Sequence, residues 1–144
     1  MADLTPTEFV TKMIDAGAAK VFMSTKDTLI RSYMAGAILA LAAAFAITIN
    51  VNTGQPLAGA VLFPVGFVLL YLLGFDLLTG VFTLVPMALI DKRPGVTVKG
   101  MLRNWGLVFV GNFSGAFTVA VFMAIIFTFG FTTDPDLVGQ KIAI

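Results

Sequence analysis

The most chemically loaded stretch of the sequence is Tyr71 to Gly80, YLLGFDLLTG, where Asp76 stands in a run otherwise suited to the interior of a membrane. A carboxylate there can accept backbone N–H groups at the start of a helix, and the flanking Gly74 and Gly80 can release the chain from helical geometry. A second polar cluster, Gly111-Asn112-Phe113-Ser114-Gly115, sets glycines four apart, the spacing that lets membrane helices approach closely. Asn104, Val108, Gly111 and Gly115 fall on one helical face, so an amide and a glycine groove point the same way. That face is expected to pack tightly and to support oligomerisation. The sequence contains no histidine and no cysteine. The commonest general base, thiolate nucleophiles and the usual soft metal ligands are therefore missing, and neither an enzyme, a metal nor a cofactor is expected.

The elements that hold these residues follow from composition. The chain is 58% hydrophobic and 12% charged, where a soluble domain carries roughly 25% charged residues, so it reads as an all-α integral membrane protein. A net charge of +1 favours no nucleic-acid partner. Met1-Ala2-Asp3 lacks a basic stretch and gives no cleavable signal. Thr5-Pro6-Thr7-Glu8 reads as a helix start, with Thr5 as N-cap and Glu8 as its capping-box partner. Phe9, Val10, Met13, Ile14, Gly17 and Val21 then make an apolar stripe. Lys12, Asp15 and Lys20 lie off it, as on an amphipathic helix resting on a membrane or under a bundle.

Ser32 to Val51 is uncharged and long enough to cross roughly 30 Å of hydrocarbon. Lys20, Lys26 and Arg31 precede it, which places the N-terminus in the cytoplasm. Leu57 to Ile90, about 50 Å as one helix, is too long for one comfortable span and too short for two. The basic loop after it, with Lys92, Arg93, Lys99 and Arg103, belongs inside, so this region crosses once and must be broken. The break is expected between Leu73 and Gly80, with Asp76 capping a second half-helix from about Leu77 to Ile90. Met101 to Phe131 makes a third crossing, and Asp134 and Asp136 end outside. Irregular backbone at membrane depth is tolerated only against protein or a water-filled cavity.

The run GFDLLTG behind a phenylalanine-rich half-helix, then a short basic loop, then LRNWGLVFVGNFSGA, resembles the formate/nitrite transporter family. Members are pentameric channels for small monovalent anions with an aquaporin-like fold. The similarity covers nearly the whole chain but only the N-terminal half of a member, so residues 1–144 would be the first inverted repeat. The resemblance implies three crossings with the second helix broken. Gly74, Asp76, Leu77 and Thr79 match the family's acidic-Leu-x-Thr loop, Leu77 as one side of an inner constriction and Thr79 as a hydroxyl facing the anion. Phe63 and Phe67 correspond to pore constriction residues, Phe67 where a smaller aliphatic side chain is the family's habit. A central histidine belongs to the second half, which this chain does not include.

The expectation is therefore a subunit of a formate- or nitrite-class channel in a bacterial inner membrane. It would be a homopentamer with one pore per protomer and would need a second half-channel segment. A half-helix N-terminus exposes N–H groups that favour an anion without a fixed cation to trap it, and Asp76 is read as architectural. The alternative is a non-transporting half-channel scaffold. A neutral-solute channel of aquaporin type is disfavoured because no Asn-Pro-Ala motif occurs.

Overall fold

Thr5 and Glu8 start the first helix as a reciprocal pair in this computed structural model, which describes residues 5–143. The opening Met1-Ala2-Asp3 lies outside that range. The Glu8 carboxylate takes the Thr5 N–H at 2.8 Å while the Thr5 hydroxyl takes the Glu8 N–H at 3.3 Å. The bond from the Thr5 backbone, seconded by the one from its hydroxyl, holds the Glu8 carboxyl below its usual range. Helix α1 (Pro6–Phe22) buries Gly17 and Val21. Gly17 lies so close to the Leu84 carbonyl that a Cβ there would overlap it. Phe9 and Val10 stay exposed. Lys20, expected off the packed face, instead turns inward to pair with Asp76.

Helices α2 (Thr25–Thr53) and α6 (Val98–Phe127) have 29 and 30 residues and rise about 45 Å each. Among the described residues these two are long and apolar enough to cross a membrane. Ser24 and Thr97 cap them, and α2 stops at Gly54, whose φ of 65° only glycine adopts cheaply. They pack through small residues. A Cβ on Gly111 would overlap the Ser32 hydroxyl, one on Gly115 the Tyr33 carbonyl, and one on Gly36 the Asn112 carbonyl. The glycine groove of α6 is therefore filled by α2 of the same chain. This corrects the expectation that Gly111 and Gly115 serve assembly: their small size is used within the protomer.

The segment between the long helices contains α3 (Pro56–Leu62), α4 (Val65–Leu72) and α5 (Leu78–Ile90). A further interruption, between α3 and α4, falls at Pro64, which has no N–H for the Ala60 carbonyl; the sequence reading does not include it. Helix α4 ends in a Schellman turn: the Phe75 N–H reaches the Leu70 carbonyl at 2.9 Å and the Gly74 N–H reaches Tyr71 at 3.2 Å, with Gly74 at φ 70°. Helices α3 and α4 lie along α2, and α5 lies along α1 and α6. Val21, Val81, Val85 and Val108 form the core where α1, α5 and α6 meet. A short α7 (Leu137–Ile142), capped by Asp136, packs on α2 and α6.

Candidate functional site: the turn between α4 and α5

The chain leaves helical geometry at Leu73 and resumes it at Leu78. The non-helical stretch is shorter than Gly74 to Gly80, because Leu78, Thr79 and Gly80 already form the first turn of α5. Leu77 is the N-cap of α5 and supplies no side-chain bond. Asp76 does not cap it either, contrary to the sequence expectation. Its carboxylate is bonded through Oδ1 to the Lys20 ammonium, and Oδ2 has no protein partner among the described residues. Asp76 is 2% exposed. A buried carboxylate satisfies its charge before its geometry, and a cation outcompetes neutral N–H groups for it.

The cap comes from α6. Asn112 Oδ1 accepts the Leu78 N–H at 2.8 Å, while its Nδ2 donates to the Asp76 carbonyl at 2.9 Å and the Ser32 carbonyl at 2.8 Å. One amide thus ties α2, the turn and the start of α5. It can do so because the glycines on either side bring α6 against α2. One face of α6 buries Asn104, Val108, Gly111 and Gly115. Asn104 Nδ2 donates to the Lys20 carbonyl at 3.0 Å, fixing the end of α1 that presents the ammonium. On the other side, the Trp105 indole donates to the Val81 carbonyl at 3.2 Å and its ring meets Phe82 edge-on at 4.7 Å.

A cavity of about 200 Å³ opens beside the turn, and Lys20, Tyr71, Gly74, Asp76, Leu77 and Gly80 are among its walls. Of the residues singled out around the turn in the sequence, Gly74, Asp76, Leu77 and Gly80 are brought together there. Thr79 is exposed, and its N–H has no protein partner among the described residues. Phe63 and Phe67 are half-buried and packed edge to face with centroids 5.6 Å apart, away from that cavity. Sequence reasoning missed Lys20 as the counter-ion and Asn112 as the cap. The signal for both lay in electrostatic accounting, since a buried carboxylate and an uncapped half-helix each require a partner.

A family model described as "Formate/nitrite transporter" matches residues 7–143. The chain belongs to that family. An uncharacterized transporter of Bacillus subtilis is 35% identical over 85% of this chain and 47% of its own length. A formate channel of Bacillus thuringiensis is 31% identical over 100% of this chain and 56% of its own length. A probable formate transporter of Methanothermobacter thermautotrophicus is 34% identical over 77% and 42% respectively. This formate/nitrite transporter family chain thus spans about half the length of the curated relatives it matches. No solved structure matches it. Membership makes it an integral membrane protein of a transporter family.

Proposed function

We propose that the chain is a subunit of a channel or transporter for small monovalent anions of the formate or nitrite class, in an aquaporin-like bundle with three crossings. The observation that carries this reading is the start of α5, where Asn112 takes the Leu78 N–H while the Thr79 N–H has no protein partner among the described residues and the Thr79 side chain is exposed. Such a helix start offers donors and a partial positive charge, which suit an anion that must bind weakly and leave. Helices α3, α4 and α5 end to end are about as long as α2 or α6, which supports a single crossing broken at the turn. Phe63, Phe67 and Leu77 are the hydrophobic constriction of the path, and Thr79 is its hydroxyl. The N-terminus and the Asp15–Arg93–Asp91 cluster, with Arg93 at 2.8 Å from Asp15 and 3.1 Å from Asp91, are cytoplasmic. The membrane is the inner membrane of a bacterial cell.

Residues 1–144 act as the first inverted repeat. Thr79 stands on an open face, so a second segment with three more crossings closes the path, and protomers assemble as pentamers with one path each. The formate channels and transporters among the relatives support formate as the first anion to test. The complex extracted from its own membrane and reconstituted in liposomes should take up labelled formate or nitrite down a gradient, and Thr79→Val should slow uptake. A complex that passes neither anion would overturn the reading and leave the scaffold alternative.

A further inference from the structure

We propose that Tyr71 is a specificity-determining residue of this path, its phenol donating, together with the Thr79 hydroxyl, to a small monovalent oxyanion at the start of α5. The inference rests on the reading of the turn as the anion site. Tyr71 lies on the last full turn of α4, one turn beyond Phe67 and on the same face. The aromatic row that begins with the Phe63–Phe67 pair therefore ends, at the turn, in a hydroxyl. The phenol oxygen reaches across to α5, lying 3.9 Å from the place a Cβ would occupy on Gly80, the residue after Thr79. Gly80 leaves that space open. The ring also walls the cavity that contains Asp76 and Lys20.

Two features say that this phenol has work outside the chain. It makes no hydrogen bond among the described residues, and the side chain is 69% exposed. On the single-crossing reading, Tyr71 falls near mid-depth and not in the interfacial belt where tyrosines anchor membrane helices. Helix from Pro56 to Tyr71 rises about 24 Å, and α5 adds about 20 Å on the far side of the turn. A hydroxyl at mid-depth costs free energy unless water, protein or a solute satisfies it. No bond joins the phenol to Asp76, whose Oδ1 takes the Lys20 ammonium and whose Oδ2 has no protein partner among the described residues. A planar anion with two oxygens takes one donor from each side of the turn. Neither donor is a cation, so the anion is recognised without being trapped.

Tyr71→Phe keeps the ring and removes the donor, which makes it the discriminating variant. In the reconstituted complex it should raise the KM for labelled formate roughly tenfold, as for the loss of one hydrogen bond to a charged group. Uptake at saturation and elution volume on size exclusion should not change. Gly80→Leu, which builds a side chain against the phenol oxygen, should raise KM in the same direction. An unchanged KM in Tyr71→Phe, with or without a shifted elution volume, overturns the assignment while leaving the anion path standing, provided the unmodified complex transports. Absence of formate and nitrite flux in the unmodified complex overturns both.

Discussion

Lys20 and Asp76 form an ion pair in which the aspartate side chain is almost fully enclosed and the lysine side chain is 18% exposed. Removing one partner from such a pair leaves an uncompensated charge and typically costs about 3–5 kcal/mol, whereas neutralising both is far milder. Lys20→Met keeps the apolar stem and should destabilise the protein by about that amount. Adding Asp76→Asn to it should restore most of the loss. Thermal unfolding in detergent reads both, and a double variant no more stable than Lys20→Met would show that the two charges are not coupled. Neither Lys20 nor the capping amide of Asn112 is legible as such in the sequence. Capping rules look to neighbours in the chain, because they connect residues three or four apart. The true partners of the turn stand 56 and 36 positions from Asp76, at Lys20 and Asn112, and only the folded chain brings them to it. What the sequence does disclose is the need: an isolated carboxylate and two glycines in an apolar run mark a discontinuity whatever satisfies it.

At the scale of the element, α6 is the most readable part of the molecule, because a helix that packs on one side writes its contacts at three- and four-residue intervals. Asn104, Val108, Gly111 and Gly115 do lie buried together, but the spacing says nothing about which surface they meet, and that surface is α2. Gly111→Leu should therefore abolish the folded protomer, not merely the oligomer. Gly106 provides the control, since nothing lies within 4 Å of a Cβ placed there. Gly106→Ala should hold or raise thermal stability, by up to about 1 kcal/mol for a helical glycine. A well-folded monomer of Gly111→Leu would contradict the α2–α6 packing. The start of α1 yields a pH prediction. Glu8 titrates below its usual value of 4.5 in the folded chain because Thr5 donates to its charged form. A lowered folded pKa means that the contribution is complete above the unfolded value and fades as pH falls through the folded one. Helix α1 should therefore fray on acidification below about pH 4.5, seen as lower protection of the amides of residues 8–10 relative to their intrinsic exchange rates. In Thr5→Ala the same amides should exchange faster already at neutral pH and respond less to acid.

For the whole molecule, the decisive matter is what the outer face of α5 meets. Helix α5 has two sides of different character: Val81, Val85 and Ala88 are buried against α1 and α6, while Thr79, Phe82, Thr83 and Ile90 are exposed. Pro86 adds to the polarity of that exposed side, because it has no N–H to give the Phe82 carbonyl. Two hydroxyls and a released carbonyl are poorly suited to lipid, whereas α6 exposes the stacked rings of Phe109, Phe113 and Phe117, which are well suited to it. The two exposed faces should differ in solvent, one lining water and the other lipid. The chain contains no cysteine, so a single introduced thiol reports its own surroundings. Thr79→Cys in the native complex should react with a small water-soluble thiosulfonate and be protected by millimolar formate. Phe113→Cys, at a site 65% exposed in the protomer, should resist the same reagent and yield only to a lipid-soluble maleimide. In the chain stripped of whatever covers α5, the thiol of Thr79→Cys should react faster and lose its protection by formate, because half of the enclosing wall has gone. Equal silence of the Thr79→Cys and Phe113→Cys variants toward the water-soluble reagent would place both faces in lipid, and the path along α5 would not exist.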